Sequence, residues 1–208
     1  LIKYVAKTGK PMIISTGMAN EDEILEAIET ARNAGCEELA VLHCVSGYPA
    51  PASDYNLATI PDMAKRYGVL AGLSDHTIDN ITAIAAVVLG ACIIEKHVTL
   101  DRNGGGPDDS FSLEGPELAT LCEYSKVAWS ALGKINYRRK ESEKSNMIFR
   151  RSLYVVKAMK AGEILTNQNL KSIRPGYGLP PKHLTELIGK RVLRDLERGT
   201  ALDWSMIE

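Results

Sequence analysis

The sequence predicts an α/β fold: four buried parallel strands alternating with helices, followed by a smaller mixed unit. Three observations lead there. Four short apolar, β-rich runs recur at similar intervals, a helix-like segment follows each, and from residue 133 the composition shifts abruptly to a polar, charged stretch. Near-continuous apolar runs suit strands covered on both faces. Strand alternating with helix four times is a β/α repeat joined by right-handed crossovers.

In chain order, LIKYVAKTGKP reads as the tail of a helix running into a strand, and the first residue, Leu1 rather than Met, suggests a start in mid-protein. The strands are predicted at 11–16 (PMIIST), 39–45 (LAVLHCV), 69–76 (VLAGLSDH) and 91–99 (ACIIEKHVT). Helices follow at 20–34, 57–67, 79–89 and 116–132, the first with Asn20 as N-cap and Glu23 at the capping-box position. Four such units fit a small open sheet or half of an eight-stranded (β/α)8 barrel, and the start in mid-protein favours the half barrel. The domain plan is a partial barrel over 1–135, an exposed linker over 136–147 (within GKINYRRKESEKSN), and a compact mixed domain over 148–208. The last contains strand-like RRSLYVVKA and NLKSIRPGYG, the turn-like MKAGEIL between them, and a short helix around 182–187. Its size makes it marginal alone.

Composition excludes several classes. A chain of 208 residues with 45% hydrophobic and 25% charged residues and a net charge of −1 is that of an ordinary soluble protein, without the basic excess that nucleic acid or anionic lipid requires. The longest apolar stretch, 84–94, is broken by Gly90 and falls short of the roughly 20 residues that span a bilayer. Nothing reads as a signal peptide. Cys36, Cys44, Cys92 and Cys122 are widely spaced without a CxxC pair, which argues against a zinc ribbon or redox motif and predicts buried free thiols in a reducing cytoplasm.

In a β/α barrel the C-terminal strand ends carry the chemistry. Here they read Ser15-Thr16-Gly17, Cys44-Val45-Ser46-Gly47-Tyr48, Ser74-Asp75-His76 and Glu95-Lys96-His97. Strand parity places Gly72, Ser74 and His76 on one face, and Ile93, Glu95 and His97 on one face of the next strand, so two imidazoles can face the same space. Such a pair, with positions left for water and substrate, suits Mn²⁺, Fe²⁺ or Zn²⁺ better than Ca²⁺, and the ion would act as a Lewis acid. Spacing leaves a second reading open, in which each histidine is simply hydrogen-bonded at the strand mouth. His43, of opposite parity to Cys44, reads as structural, and His183, after Pro180 and Pro181, as solvent-exposed. A charge within an apolar strand needs a partner. Glu95 shares parity with His97 and is placed to orient it or to bind a substrate hydroxyl; Asp75 points the other way and reads as structural, with Lys96 as its partner. The glycines of 103–109 (NGGGPDD) allow backbone to approach a ligand, yet lack dinucleotide or P-loop spacing, so a plain flexible turn remains an alternative.

Six segments, ISTGMA (14–19), LHCVSGYPAP (42–51), GLSDHT (72–77), LGACIIEKHVTLDR (89–102), GGPDDSFSLE (105–114) and IRPGYG (173–178), occur in the order found in the sialic acid synthases. The chain resembles that family, whose enzymes condense phosphoenolpyruvate with an amino-sugar to nine-carbon 2-keto acids. The resemblance implies a transferase with a TIM-barrel domain, of which this chain holds the C-terminal half, the last four strands, and a C-terminal SAF domain similar to type III antifreeze protein. It makes His76 and His97 ligands of a divalent metal, Mn²⁺ or Mg²⁺, and Ser74 a contact of the phosphoenolpyruvate phosphate. Glu95 and Asp108 become the candidate catalytic carboxylates, and Ser15, Ser46, Tyr48 and Asp108 substrate-site residues. Arg174 would reach from the small domain of one subunit into its neighbour's active site, which implies a domain-swapped homodimer.

Two departures stand out. Ser46 occupies a position where the family motif has Asn, and the first four barrel strands, with a phosphate-binding Lys and an acid/base carboxylate, lie outside this sequence, so the fragment alone is expected to be inactive. FRRSLYVVKA, SIRPGYGLPPK and GGPDDSFSLE are most similar to pseudaminic acid synthases, acting on 2,4-diacetamido-2,4,6-trideoxy-L-altropyranose; an N-acetylneuraminate or legionaminate synthase is the alternative. More distant readings are a metal-dependent aldolase and a carbohydrate- or ice-binding module. The expected partners are the amino-sugar and phosphoenolpyruvate, in the cytoplasm, without nucleic acid or membrane.

Overall fold

The four β-rich runs pair into one parallel sheet. In a computed structural model that describes residues 1–208, β1 (Met12–Ser15), β2 (Leu39–Cys44), β3 (Leu70–Asp75) and β4 (Ile94–Lys96) lie side by side in chain order. Each is shorter than the predicted run, β4 most of all, which keeps only Ile94–Lys96 of 91–99. The helices are α1 (Ile2–Ala6), α2 (Glu21–Asn33), α3 (Thr59–Tyr67), α4 (Ile81–Val88) and α5 (Gly115–Leu132). The predicted capping box of α2 is formed: Asn20 accepts from the Glu23 N–H at 3.0 Å and Glu23 from the Asn20 N–H at 2.8 Å.

The strand pleat divides the sheet's residues between two environments. Leu39, Val41, Ala71 and Leu73 point to the helices and form one core with Ile28, Ile60, Met63 and Ala83. On the opposite face the register sets Leu42 beside Gly72 and Ser74 beside Glu95. Gly72 is required there: a Cβ would stand 2.5 Å from Leu42 Cδ2 and 2.6 Å from the Ile93 carbonyl oxygen. The buried Thr16 closes the top of β1 and β2, its hydroxyl accepting from the Cys44 N–H at 3.0 Å.

The chain divides into two compact units, Leu1–Lys134 and Ile135–Glu208. In the second, β5 (Ser152–Val155) runs antiparallel to β6 (Leu170–Ile173), and α6 (Leu184–Leu187) follows a single 3₁₀ turn. Leu153, Val155, Leu165, Leu170, Leu187 and Leu202 are its buried core. Residues Glu141–Phe149, most of which fall in the charged stretch read as a linker, form a 3₁₀ helix.

Two expectations need correction. Of the four free cysteines only Cys36 and Cys44 are buried; Cys92 and Cys122 are exposed, the latter because α5 buries Leu121 alone. His183 is half-buried rather than exposed, since its ring packs edge-on against Trp204 at 5.0 Å and its Nδ1 faces Glu186 at 3.1 Å. No helix is long and apolar enough to cross a membrane.

Gly72→Ala forces its methyl against main chain that cannot swing aside. We expect a loss of about 1–3 kcal/mol of stability, typical of overpacking, read as a lower urea midpoint; an unchanged midpoint would show that β3 and β4 separate freely.

Candidate active site

β3 and β4 pair Ser74 with Glu95 and Asp75 with Lys96, so the next residue of each strand, His76 and His97, emerges on the same side. Their ring centroids are 5.2 Å apart. His76 is buried; its N–H donates to the Tyr55 hydroxyl at 2.6 Å, and its Nδ1 lies 2.8 Å from the Val45 carbonyl oxygen. A carbonyl only accepts, so Nδ1 carries the proton and Nε2 keeps its lone pair. Asp108 stands beside His97, its Oδ2 3.5 Å from Nδ1, without a hydrogen bond between them. Burial, above all, pushes the Tyr55 phenol well above its ordinary pKa, so it remains a neutral acceptor for the His76 amide.

Aromatic rings line one side of the pair. The Tyr48 ring lies 4.2 Å from His76, and Phe111 lies 5.2 Å from His97 and 5.6 Å from Tyr48. Both Asp108 and Phe111 belong to a loop that Asp109 ties shut. Thr99 Oγ1 donates to Asp109 Oδ1 and the Gly106 N–H to Asp109 Oδ2, each at 2.7 Å. Beyond it, the Leu113 N–H donates to the His97 carbonyl at 2.9 Å. A Cβ at Gly104 or Gly106 would meet Asp109 Oδ2 at 2.9 or 2.8 Å, so these glycines serve the loop's own closure, and the turn is a built one. The Thr99 hydroxyl and then the Gly106 N–H hold the Asp109 carboxyl below its ordinary pKa.

Glu95 accepts from Ser74 Oγ at 2.7 Å and from Ser15 Oγ at 3.4 Å. It forms no hydrogen bond to His97, because the serines of β3 and β1 hold the Glu95 carboxylate. Asp75 and Lys96 pair on the opposite face at 2.8 Å, as parity predicts, and His43 packs edge-on to Tyr55 with its Nε2 against the Tyr55 carbonyl, in keeping with a structural role.

The structure therefore gathers Ser15, Ser74 and Glu95 in one cluster and Tyr48, His76, His97 and Asp108 in another at the same edge. Ser46 is exposed, makes no hydrogen bond, and lies close enough to Gly17 that a Cβ there would meet its Oγ at 3.3 Å. Arg174 belongs to the second unit, where it is exposed and forms neither hydrogen bond nor ion pair. Sequence reasoning missed Phe111, although it is the one aromatic residue in GGPDDSFSLE, and Tyr55, which lies in an irregular segment without periodicity.

As donors, the two Nε2 atoms suit a metal that takes two imidazoles and completes its shell elsewhere. No group of three or more His, Cys, Asp or Glu residues stands close enough to hold an ion unaided.

Residues 1–137 match the NeuB family and residues 150–208 the SAF domain. A pseudaminic acid synthase from Campylobacter jejuni is 39% identical over 201 residues, which cover 97% of this chain and 59% of that protein. An N,N'-diacetyllegionaminic acid synthase from the same species is 40% identical over 192 residues, covering 91% and 58%. The crystal structure of the spore coat polysaccharide biosynthesis protein SpsE from Bacillus subtilis is similar with a TM-score of 0.61 at 33% identity, covering all of this chain and 64% of that one. The chain thus spans less than two thirds of the length of these relatives.

Tyr55→Phe leaves the buried His76 N–H without its acceptor and should cost about 1–3 kcal/mol in urea unfolding; an unchanged midpoint would mean the amide finds another partner. Because the folded pKa of Asp109 is depressed, its contribution to stability is present above the unfolded value of 3.8 and is lost as the pH falls through the folded value. Its carboxyl carbon, followed by NMR, should titrate below 3.8, and a midpoint at or above 3.8 would contradict the loop geometry.

Proposed function

The chain belongs to the NeuB family, and from that premise we propose that it forms part of a nonulosonic acid synthase, its four-stranded sheet being half of a (β/α)8 barrel. The observation that carries this reading is the pair of imidazoles whose Nε2 atoms remain available beside the Ser15, Ser74 and Glu95 cluster. The co-substrate is phosphoenolpyruvate, and the acceptor sugar is 2,4-diacetamido-2,4,6-trideoxy-L-altropyranose, which gives pseudaminic acid. The likeness to a legionaminic acid synthase supports a second reading with a related diacetamido sugar.

His76 and His97 would hold a divalent ion, Mn²⁺ or Mg²⁺, which when bound supplies Lewis-acid polarisation of the open-chain sugar's aldehyde. The Val45 carbonyl keeps His76 in the tautomer that such binding needs, and Asp108 stands beside Nδ1 of His97. C3 of phosphoenolpyruvate forms the new bond to the aldehyde carbon, water adds at C2, and phosphate leaves with the C–O bond electrons. Tyr48 and Phe111 wall the edge and orient the sugar, so that positioning supplies much of the rate. A phosphate contact at Ser74 requires its hydroxyl to turn away from Glu95, since one O–H donates once. Glu95, freed of that bond, would be available as a catalytic carboxylate. Arg174 of a partner subunit, in a domain-swapped homodimer, offers a planar guanidinium to the substrate's carboxylate or N-acyl oxygen.

Mass spectrometry of the full-length protein incubated with phosphoenolpyruvate and each diacetamido sugar should show a nine-carbon acid and released phosphate, with the altro sugar preferred. His76→Ala with His97→Ala should reduce turnover to background, and undiminished turnover by that variant would sink the assignment. A product that incorporates pyruvate without phosphate release would instead indicate an aldolase.

A further inference from the structure

We propose that Lys96 is a positioning residue that sets the spacing of His76 and His97 from behind the sheet; the proposal rests on reading those histidines as a metal pair. Lys96 stands between Glu95 and His97 in the chain. The pleat turns it the other way. Its side chain is 3% exposed and that of its partner, Asp75, 0%.

The Lys96 ammonium donates to Asp75 Oδ2 at 2.8 Å, to the Thr77 carbonyl at 2.6 Å and to the Asp79 carbonyl at 2.7 Å. Three N–H groups meet three acceptors, which leaves none for a ligand. Asp75 is satisfied in turn by the Thr77 N–H at 2.9 Å and the Thr77 hydroxyl at 3.1 Å. The Asp79 carboxylate takes the Ile81 N–H at 2.8 Å, at the first residue of α4. A single ammonium group therefore ties β4 to β3, to the loop that leaves His76, and to the entry of the next helix. Each imidazole is one residue beyond a member of this ion pair, so a shift of Lys96 relative to Asp75 becomes a shift of His97 relative to His76.

A purely structural ion pair would influence folding alone, whereas a positioning role predicts an effect on metal affinity in a protein that is folded. In the full-length protein, Lys96→Met should weaken binding of Mn²⁺ alone, measured by calorimetry, by about 10–100-fold, as removal of outer-shell support does. The KM for phosphoenolpyruvate should stay within about twofold as kcat falls, because the substrate's own contacts remain. If Lys96→Met does not fold, the double variant Asp75→Asn with Lys96→Gln, which buries no unpaired charge, should still bind Mn²⁺ about threefold or more weakly than wild type, since the amide spans fewer of these acceptors. Wild-type Mn²⁺ affinity in whichever variant folds would overturn the proposal.

His76→Ala serves as the control for the underlying reading. If that variant binds Mn²⁺ as wild type does, the metal pair is wrong, and Lys96 is then judged by the ¹⁵N shifts of the two imidazoles and by hydrogen exchange over residues 77–81. Both should change on Lys96→Met if Lys96 fixes the pair, and unchanged shifts and exchange would refute it.

Discussion

The pairing of β3 with β4 is the constraint on which the candidate site depends. Three register pairs, Leu73 with Ile94, Ser74 with Glu95 and Asp75 with Lys96, fix two short strands, and the pleat then assigns their residues to opposite faces. Ser74 and Glu95 meet on one face and Asp75 and Lys96 on the other, and the two histidines continue from these positions. A slip of one residue would put the Lys96 charge at the site and send Glu95 into the apolar helix layer. Both outcomes leave a buried charge without its partner, so the polar pairs act as a register lock as well as a site. Gly72 contributes from one layer below, where only a residue without a Cβ lets Leu42 and the Ile93 carbonyl close over it.

The same edge shows how loops with little regular structure gain a fixed shape. Asp109 binds Thr99 and Gly106, and the Leu113 amide returns to the His97 carbonyl, so the segment after β4 is held at both ends. That holding brings Asp108 to His97 and Phe111 into the aromatic wall. On the other side, Tyr55 reaches from an irregular segment to the His76 amide. His76 is thereby fixed by hydrogen bonds at its backbone and at its Nδ1 atom, which leaves Nε2 as the atom it can offer, and His97 is held through its backbone carbonyl.

What the sequence revealed follows the range of the interaction. The Asn20 and Glu23 cap is encoded within four residues, and the shared face of His76 and His97, like the pairing of Asp75 with Lys96, follows from a period of two on neighbouring strands. Those features were legible. The contact of Glu95 with Ser15 was not, because Ser15 comes from β1, three strands removed from β4 in a sheet whose curvature no local pattern reports. Tyr55 and Asp108 act from irregular segments, where neither periodicity nor capping marks a residue's target. His183 was misread for a related reason: Trp204, which covers it, lies 21 positions along the chain in a 3₁₀ turn near the C-terminus.

The electrostatic character of the edge follows from these assignments. The carboxylates of Glu95 and Asp108 stand there beside the imidazoles of His76 and His97 and the face of the Tyr48 ring. The basic residue within the strand ends, Lys96, is committed to the opposite face, and Arg102 is taken by Glu117 and the Ser112 carbonyl. An acceptor-rich edge of this kind attracts a cation and repels an anion. Under the proposed reading, phosphoenolpyruvate depends on positive charge brought to the edge by other groups, a divalent ion at the imidazoles and Arg174 from a partner subunit among them. Arg174 is suited to that part because it is exposed and has no acceptor within its own unit, so its guanidinium is not already committed when a carboxylate arrives.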